Sequence, residues 1–156
     1  MNKKFVIPIL LIIIILSIGF FALEGFFDFG GSNSSEIIEV GAAKFHMPEG
    51  YHIDENNSNA DLAITNGSNV FFIKKCGGKS ANPYIEEYVN YTTENGQSLS
   101  NSTLKINDFL VYRYINNQNQ AVHYWFVYNK EVYTIYTWVN TPNCDGIAFE
   151  LINSLN

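Results

Sequence analysis

Positive charge is scarce in this chain. Lysine and arginine together number 9 against 15 aspartates and glutamates, for a net charge of −6. An acidic surface with few arginines cannot neutralise a phosphate backbone, which argues against nucleic acid as a partner. Basic stretches interleaved with aromatic residues are absent as well. Cysteine is limited to Cys76 and Cys144, and two thiols at that spacing fit no zinc pattern. The chain also lacks G-x-S-x-G, a phosphate-binding glycine loop, H-E-x-x-H and any Ser-His-Asp spacing. It contains no internal repeat and no long low-complexity segment.

What it has instead begins at the N-terminus. The stretch FVIPILLIIIILSIGFFAL runs from Phe5 to Leu23 without a charge. As a helix it would span about 28 Å, close to the hydrocarbon thickness of a bilayer. A cleaved signal has a shorter apolar region and a small residue three positions before the cut. Here a cut after Ala22 would place Phe20 at that position, and a cut after Gly25 would place Leu23 there. Cleavage is the alternative, but an uncleaved anchor fits better. No cysteine follows closely enough to accept a lipid. Lys3 and Lys4 precede the run, whereas Glu24 and Asp28 follow it, so the rest of the chain should lie outside the cytoplasm. The organisation expected is a transmembrane anchor at 1–23, touching membrane lipid through residues 5–23, a flexible linker at 24–35, and an extracytoplasmic domain at 36–156. The linker, EGFFDFGGSNSS, has the glycine and small polar residues of a segment that does not pack.

Export gives two further features a meaning. Two cysteines in an exported domain favour a disulfide between Cys76 and Cys144, with a pair of buried reduced thiols as the alternative. Sequons of the form N-x-S/T occur at Asn33, Asn56, Asn66, Asn90 and Asn101, which suits a glycosylated surface or reflects an Asn-rich composition alone.

Beyond the linker the chain is rich in Tyr, Phe, Val and Ile, which tilts it toward strands. IIEVG and AAKFHM straddle Gly41 as two short strands or one bent one. PEGYHI supplies a turn and an inward Tyr51. DLAITNG and NVFFIKKC pair around Asn66-Gly67, a strong hairpin dipeptide. SANPYIEEYVNYTTENG reads as a helix, capped by Asn82, with Pro83 at its first position and Glu86 and Glu87 near the positive end of its dipole. Its apolar face carries Tyr84, Ile85, Tyr88, Val89 and Thr92. STLKI, FLVYRYI, AVHYWFVY and EVYTIYTWV follow as strands. In the last hairpin Tyr128 should face Glu131 across Asn129-Lys130, which sets Val122, Tyr124, Phe126, Tyr133 and Ile135 on one side. Ala121, His123, Trp125, Val127, Val132, Tyr136 and Trp138 fall on the other. Neither side is polar, so this hairpin should lie deep in a sheet covered on both faces. The closing helix, NCDGIAFELINSL, opens with Thr141 as cap and Pro142 in the first turn, and turns Cys144, Ala148, Leu151 and Leu155 inward. The fold class expected is therefore α+β, an antiparallel β-sheet covered by helices on both faces, preceded by one transmembrane helix.

Three segments give this order a likeness: KFHMPEGYHI, the aromatic strand KEVYTIYTWV, and the closing helix AFELINSL. In these, and in the sequence strand cluster, helix, four strands, helix, residues 36–156 resemble the PsbP-like family. The resemblance implies an α/β/α sandwich around an antiparallel sheet. Its motifs are packing motifs, so it carries over no catalytic residue, and no segment matches a photosystem-binding element.

Candidate chemistry is thin. His46, His52 and Asp54 lie close in sequence and have ligand types that suit zinc or manganese, but no third strong ligand is identifiable and both histidines read better as exposed. His123 reads as a hydrogen-bonded core histidine rather than a general base. Glu86 and Glu87 diverge by about 100° on a helix and cannot converge on one substrate. Trp125, Tyr136 and Trp138 are the candidates for a binding surface. The expected function is a non-catalytic, membrane-tethered, extracytoplasmic domain that binds an envelope protein or glycan, without cofactor. The alternatives are a small metal-dependent or hydrolytic enzyme of the envelope and a purely structural envelope component.

Overall fold

The computed structural model describes residues 36–155, which form a mixed α+β domain. The proposed anchor at 5–23, the linker at 24–35 and the sequon at Asn33 lie outside these residues. No helix among the described residues is long and apolar enough to cross a membrane.

The chain opens with a separate antiparallel hairpin of β1 (Ile37–Val40) and β2 (Ala43–His46). Val40 pairs with Ala43, so the loop is Gly41-Ala42 alone. Gly41 takes φ +60°, as the first loop position of a type II′ turn requires. A side chain there would also meet Lys75 Cδ at 2.7 Å. The expectation of two strands or one bent one resolves to two.

The main sheet has seven antiparallel strands in the order β3-β4-β5-β9-β8-β7-β6. These are β3 (His52–Ile53), β4 (Leu62–Thr65), β5 (Val70–Gly77), β6 (Leu99–Ile106), β7 (Phe109–Asn116), β8 (Val122–Tyr128) and β9 (Glu131–Thr137). The β8–β9 hairpin turns at Asn129 and Lys130, with φ of 50° and 64°, and Tyr128 faces Glu131 as the sequence predicts. Around Asn66-Gly67 the loop is longer than a two-residue turn, because Thr65 pairs with Val70. Asn66 Oδ1 accepts from the backbone N–H groups of Ser68 and Asn69 and organises that loop. The outer strands are a two-residue β3 and a polar, largely exposed β6, both poor templates for pairing with another chain.

Helices α1 (Asn82–Glu94) and α2 (Cys144–Asn153) cover opposite faces of the sheet. On one face α2 turns Cys144, Ile147, Ala148, Leu151 and Ile152 onto Tyr124, Phe126, Tyr133 and Ile135, and the β1–β2 hairpin adds Ile38, Val40 and Phe45. Arg113, the chain's one arginine, fixes the first turn of α2 to β7 through a bidentate pair with Asp145 at 2.7 and 3.0 Å. Tyr124 donates to the same carboxylate at 2.6 Å. On the other face α1 packs Ile85 against Trp125 and Val132.

Three local expectations need correction. Asn82 is the first residue of α1 and not its cap. Ala81 occupies the cap position without a side-chain bond, and Ser80 Oγ accepts the Asn82 N–H at 3.3 Å. Glu86 and Glu87 lie beyond the first turn, away from the dipole's positive end. Asn143 stands at the α2 cap, again without a side-chain bond, while Thr141 and Pro142 form the preceding turn, in which the Cys144 N–H donates to Thr141 O.

The disulfide is the fourth correction. Cys76 and Cys144 are both free thiols. Cys144 is buried in the cluster under α2, and its thiol donates to Val139 O at 3.1 Å. Cys76 packs in the cluster under α1. A register shift between Lys75 and Gly77 marks a bulge at Cys76, which follows Phe72 and Lys74 in alternation on the α1 face. The sheet separates the thiols, and a cystine needs its Cα atoms within about 7 Å.

Candidate functional site

The α1 face of the sheet is a field of rings. Strand register aligns Phe72, Tyr136, His123 and Tyr114 in one row across β5, β9, β8 and β7. The next row carries Lys74, Thr134, Trp125 and Tyr112. Neighbours within a row stand one strand spacing apart, which suits parallel rings. Phe72 and Tyr136 stack at 4.9 Å and 15°, and Tyr136 and His123 at 5.0 Å and 6°. His123 also stacks on Trp125 at 5.0 Å and 14°.

Helix α1 lies over this field and does not seal it. Tyr84, Tyr88 and Tyr91 recur at the helical spacing that places them on one side. Tyr88 leans over His123 at 4.4 Å and over Trp125 at 5.2 Å. Between helix and sheet runs a groove with two compartments. The first, about 360 Å³, is walled by Tyr84, Trp125 and Tyr136, with Lys74 and Glu87 as its only charged residues. The second, about 510 Å³, is lined mainly by polar side chains, among them Asn95, Gln97, Asn116 and Asn119. Both compartments share Tyr88, Tyr91, His123 and Trp138. Each volume falls in the range of small-molecule sites.

The floor of the groove is polar and unsatisfied. Neither ring nitrogen of His123 has a hydrogen-bond partner among the described residues, and the Thr134 hydroxyl has none either. These atoms are closed to solvent, although part of the histidine reaches the groove. Such groups are rare in native interiors, because each stranded donor or acceptor costs about 1–3 kcal/mol. The expectation of a hydrogen-bonded core histidine therefore fails: the histidine is enclosed by rings that offer it no polar atom. Burial among them pushes its pKa down to about 4, so the imidazole is neutral at physiological pH. Burial likewise raises the Tyr88 and Tyr136 phenols and the Cys76 thiol.

The sequence-predicted aromatics come together here. Trp125 and Tyr136 form the floor, and Trp138, 51% exposed, stands at the rim in edge contact with Tyr136 at 5.4 Å. Tyr91, 66% exposed, is the opposite rim on α1. Sequence reasoning missed it, although its spacing from Tyr84 and Tyr88 was a usable signal. The amides were missed as well, since they converge only through the α1–β6 and β7–β8 connections.

The proposed metal set does not assemble. His46 ends β2 in the small hairpin, whereas His52 lies in β3 of the main sheet, and both are exposed. Asp54 Oδ1 accepts the Asn56 N–H in a local turn. No group of three or more His, Cys, Asp or Glu side chains among the described residues is arranged to hold a metal ion. The sequon residues Asn56, Asn66, Asn90 and Asn101 are all exposed.

No protein-family model matches the chain, and no curated protein matches it in sequence.

Proposed function

We propose that this protein is a membrane-tethered, extracytoplasmic binding domain, which takes part of an envelope glycan or protein into the groove between α1 and the sheet. Residues 5–23 would hold it in the membrane and residues 24–35 would space it from the surface. The domain would share the layering of the PsbP-like family, an α/β/α sandwich behind one transmembrane helix, on the three segments of resemblance and the order of elements.

One observation carries the reading. An aromatic-walled groove of about 360 Å³ stays open between α1 and the sheet, with the Trp138 and Tyr91 rings exposed at its rims, where a bound molecule can cover them. A non-catalytic role is supported by the histidine's surroundings: the ring lies between Trp125 and Tyr136, and among the described residues no hydroxyl, thiol or carboxylate is hydrogen-bonded to it for proton transfer.

The test has two arms, both on the full chain. A membrane-impermeant maleimide should label Asp108→Cys, at an exposed turn position, in intact cells above the level of the parent protein. Labelling only after lysis would put the domain in the cytoplasm and end the tethered reading. In detergent, indole should bind saturably by calorimetry and broaden Trp125 and Trp138 indole resonances. Absence of saturable binding would remove the groove as a site.

A further inference from the structure

We propose that the groove's ligand is a neutral oligosaccharide, held by rings at its two rims and by amides along its second compartment. The proposal rests on the binding role given above and names the ligand class for that site. Three observations on separate elements carry it.

Charge comes first. Among the residues lining both compartments only Lys74 and Glu87 are charged, with opposite signs and on opposite walls. Such a groove gives an anion or a cation no net field, and the −6 net charge of the chain disfavours anions further. Second are the rims. Trp138 and Tyr91 are large rings left half-exposed or more, where core packing gives no reason for exposure. Flat rings with open faces suit the apolar C–H face of a sugar, as they suit other flat ligands. Third are the amides, which local bonds hold in place with capacity to spare. Asn95 Nδ2 donates to Tyr91 O, leaving its Oδ1. Asn116 Nδ2 donates to Gln97 Oε1, leaving the Gln97 Nε2 donors. Asn119 Oδ1 accepts from the Ala121 N–H, leaving its Nδ2. Donors and acceptors fixed in this way match hydroxyls, each of which both donates and accepts. A purely apolar ligand would strand them, and an apolar peptide side chain would use the rings alone.

The experiment is calorimetric titration of the full chain in detergent with cellotriose, mannotriose and tri-N-acetylchitotriose, with trigalacturonate as the charged counterpart and indole as a ring-only probe. At least one neutral trimer is expected to bind with Kd below about 1 mM. Trp138→Ala and Tyr91→Ala should each weaken that binding at least about tenfold, while the thermal midpoint and far-UV spectrum of each variant stay those of the parent. Failure of all three neutral trimers while indole still binds overturns the oligosaccharide and leaves the binding role standing. Failure of indole as well overturns both. Tighter binding of trigalacturonate, or neutral binding indifferent to both substitutions, also overturns the proposal, the latter because the sugar is then held elsewhere.

Discussion

Replacing His123 by phenylalanine should make the protein more stable and change how it responds to acid. A neutral imidazole carries one donor and one acceptor, and here both are buried without partners among the described residues. Phenylalanine keeps a flat ring between Trp125 and Tyr136, where His123 stacks at 5.0 Å on each, and strands nothing. The adjoining cavity of about 360 Å³ gives the larger ring room. Removing two stranded groups is expected to raise stability by about 1–2 kcal/mol at pH 7. The acid side follows from linkage. In the unfolded chain the imidazole takes a proton near pH 6.5, whereas the folded chain holds it neutral down to about 4. The folded pKa is depressed, so the stability is complete above about pH 6.5, falls as pH drops through the window, and levels off below about 4. A shift of that size corresponds to about 3 kcal/mol lost across the window. The other ionisable groups around the histidine, Lys74, Cys76 and Glu87 with the groove's tyrosines, remain in the variant, so the difference between the two curves isolates the imidazole. The assay is urea unfolding of the full chain in detergent, followed by tryptophan fluorescence from pH 7 to pH 4. Parallel acid slopes for parent and variant, or a variant less stable than the parent at pH 7, would refute the account of an unsatisfied, buried, neutral imidazole.

The turn and the thiols give further checks. Lys130 sits at φ 64° in the second loop position of the β8–β9 turn, where a side chain is disfavoured. Lys130→Gly should therefore raise the urea midpoint, by about 0.5–1 kcal/mol in stability, and a loss would show that the lysine side chain holds the turn. With Cys76 and Cys144 on opposite faces of the sheet, reductant should leave the thermal midpoint unchanged, and both thiols should titrate in denaturant without it. A bridge closing that loop would be worth about 4 kcal/mol, and its reduction would drop the midpoint by about 15 °C.

The elements themselves were readable because each depends on local pattern. Alternation in AVHYWFVY and EVYTIYTWV, joined by a two-residue turn, is enough to place Tyr124 opposite Ile135 and His123 opposite Tyr136. The apolar faces of both helices were readable in the same way. Helix starts were read one or two residues off, because Asn82 and Thr141 have the chemistry of caps while the backbone begins its helical bonds at Asn82 and Cys144. The cystine was misplaced because spacing in sequence does not say which face of the sheet each helix covers. Alternation from Phe72 and Lys74 puts Cys76 on the α1 face, and only the packing of α2 on the other face puts Cys144 across the sheet from it.

The sequence by itself determined an α+β domain with a strand pair apolar on both sides, and therefore a sheet covered on both faces, because side-chain alternation and helical spacing follow from backbone geometry alone. Only the tertiary structure decided that Phe72, Tyr136, His123 and Tyr114 form one row, that α1 leaves a groove above it, and that the histidine beneath has no partner. Those facts depend on the pairing of β5 with β9, which sets Phe72 against Tyr136 although α1 and the strands β6, β7 and β8 lie between them in the chain. No local pattern encodes a register set across that separation, because the loop it closes leaves the two strands free of each other until the whole sheet assembles.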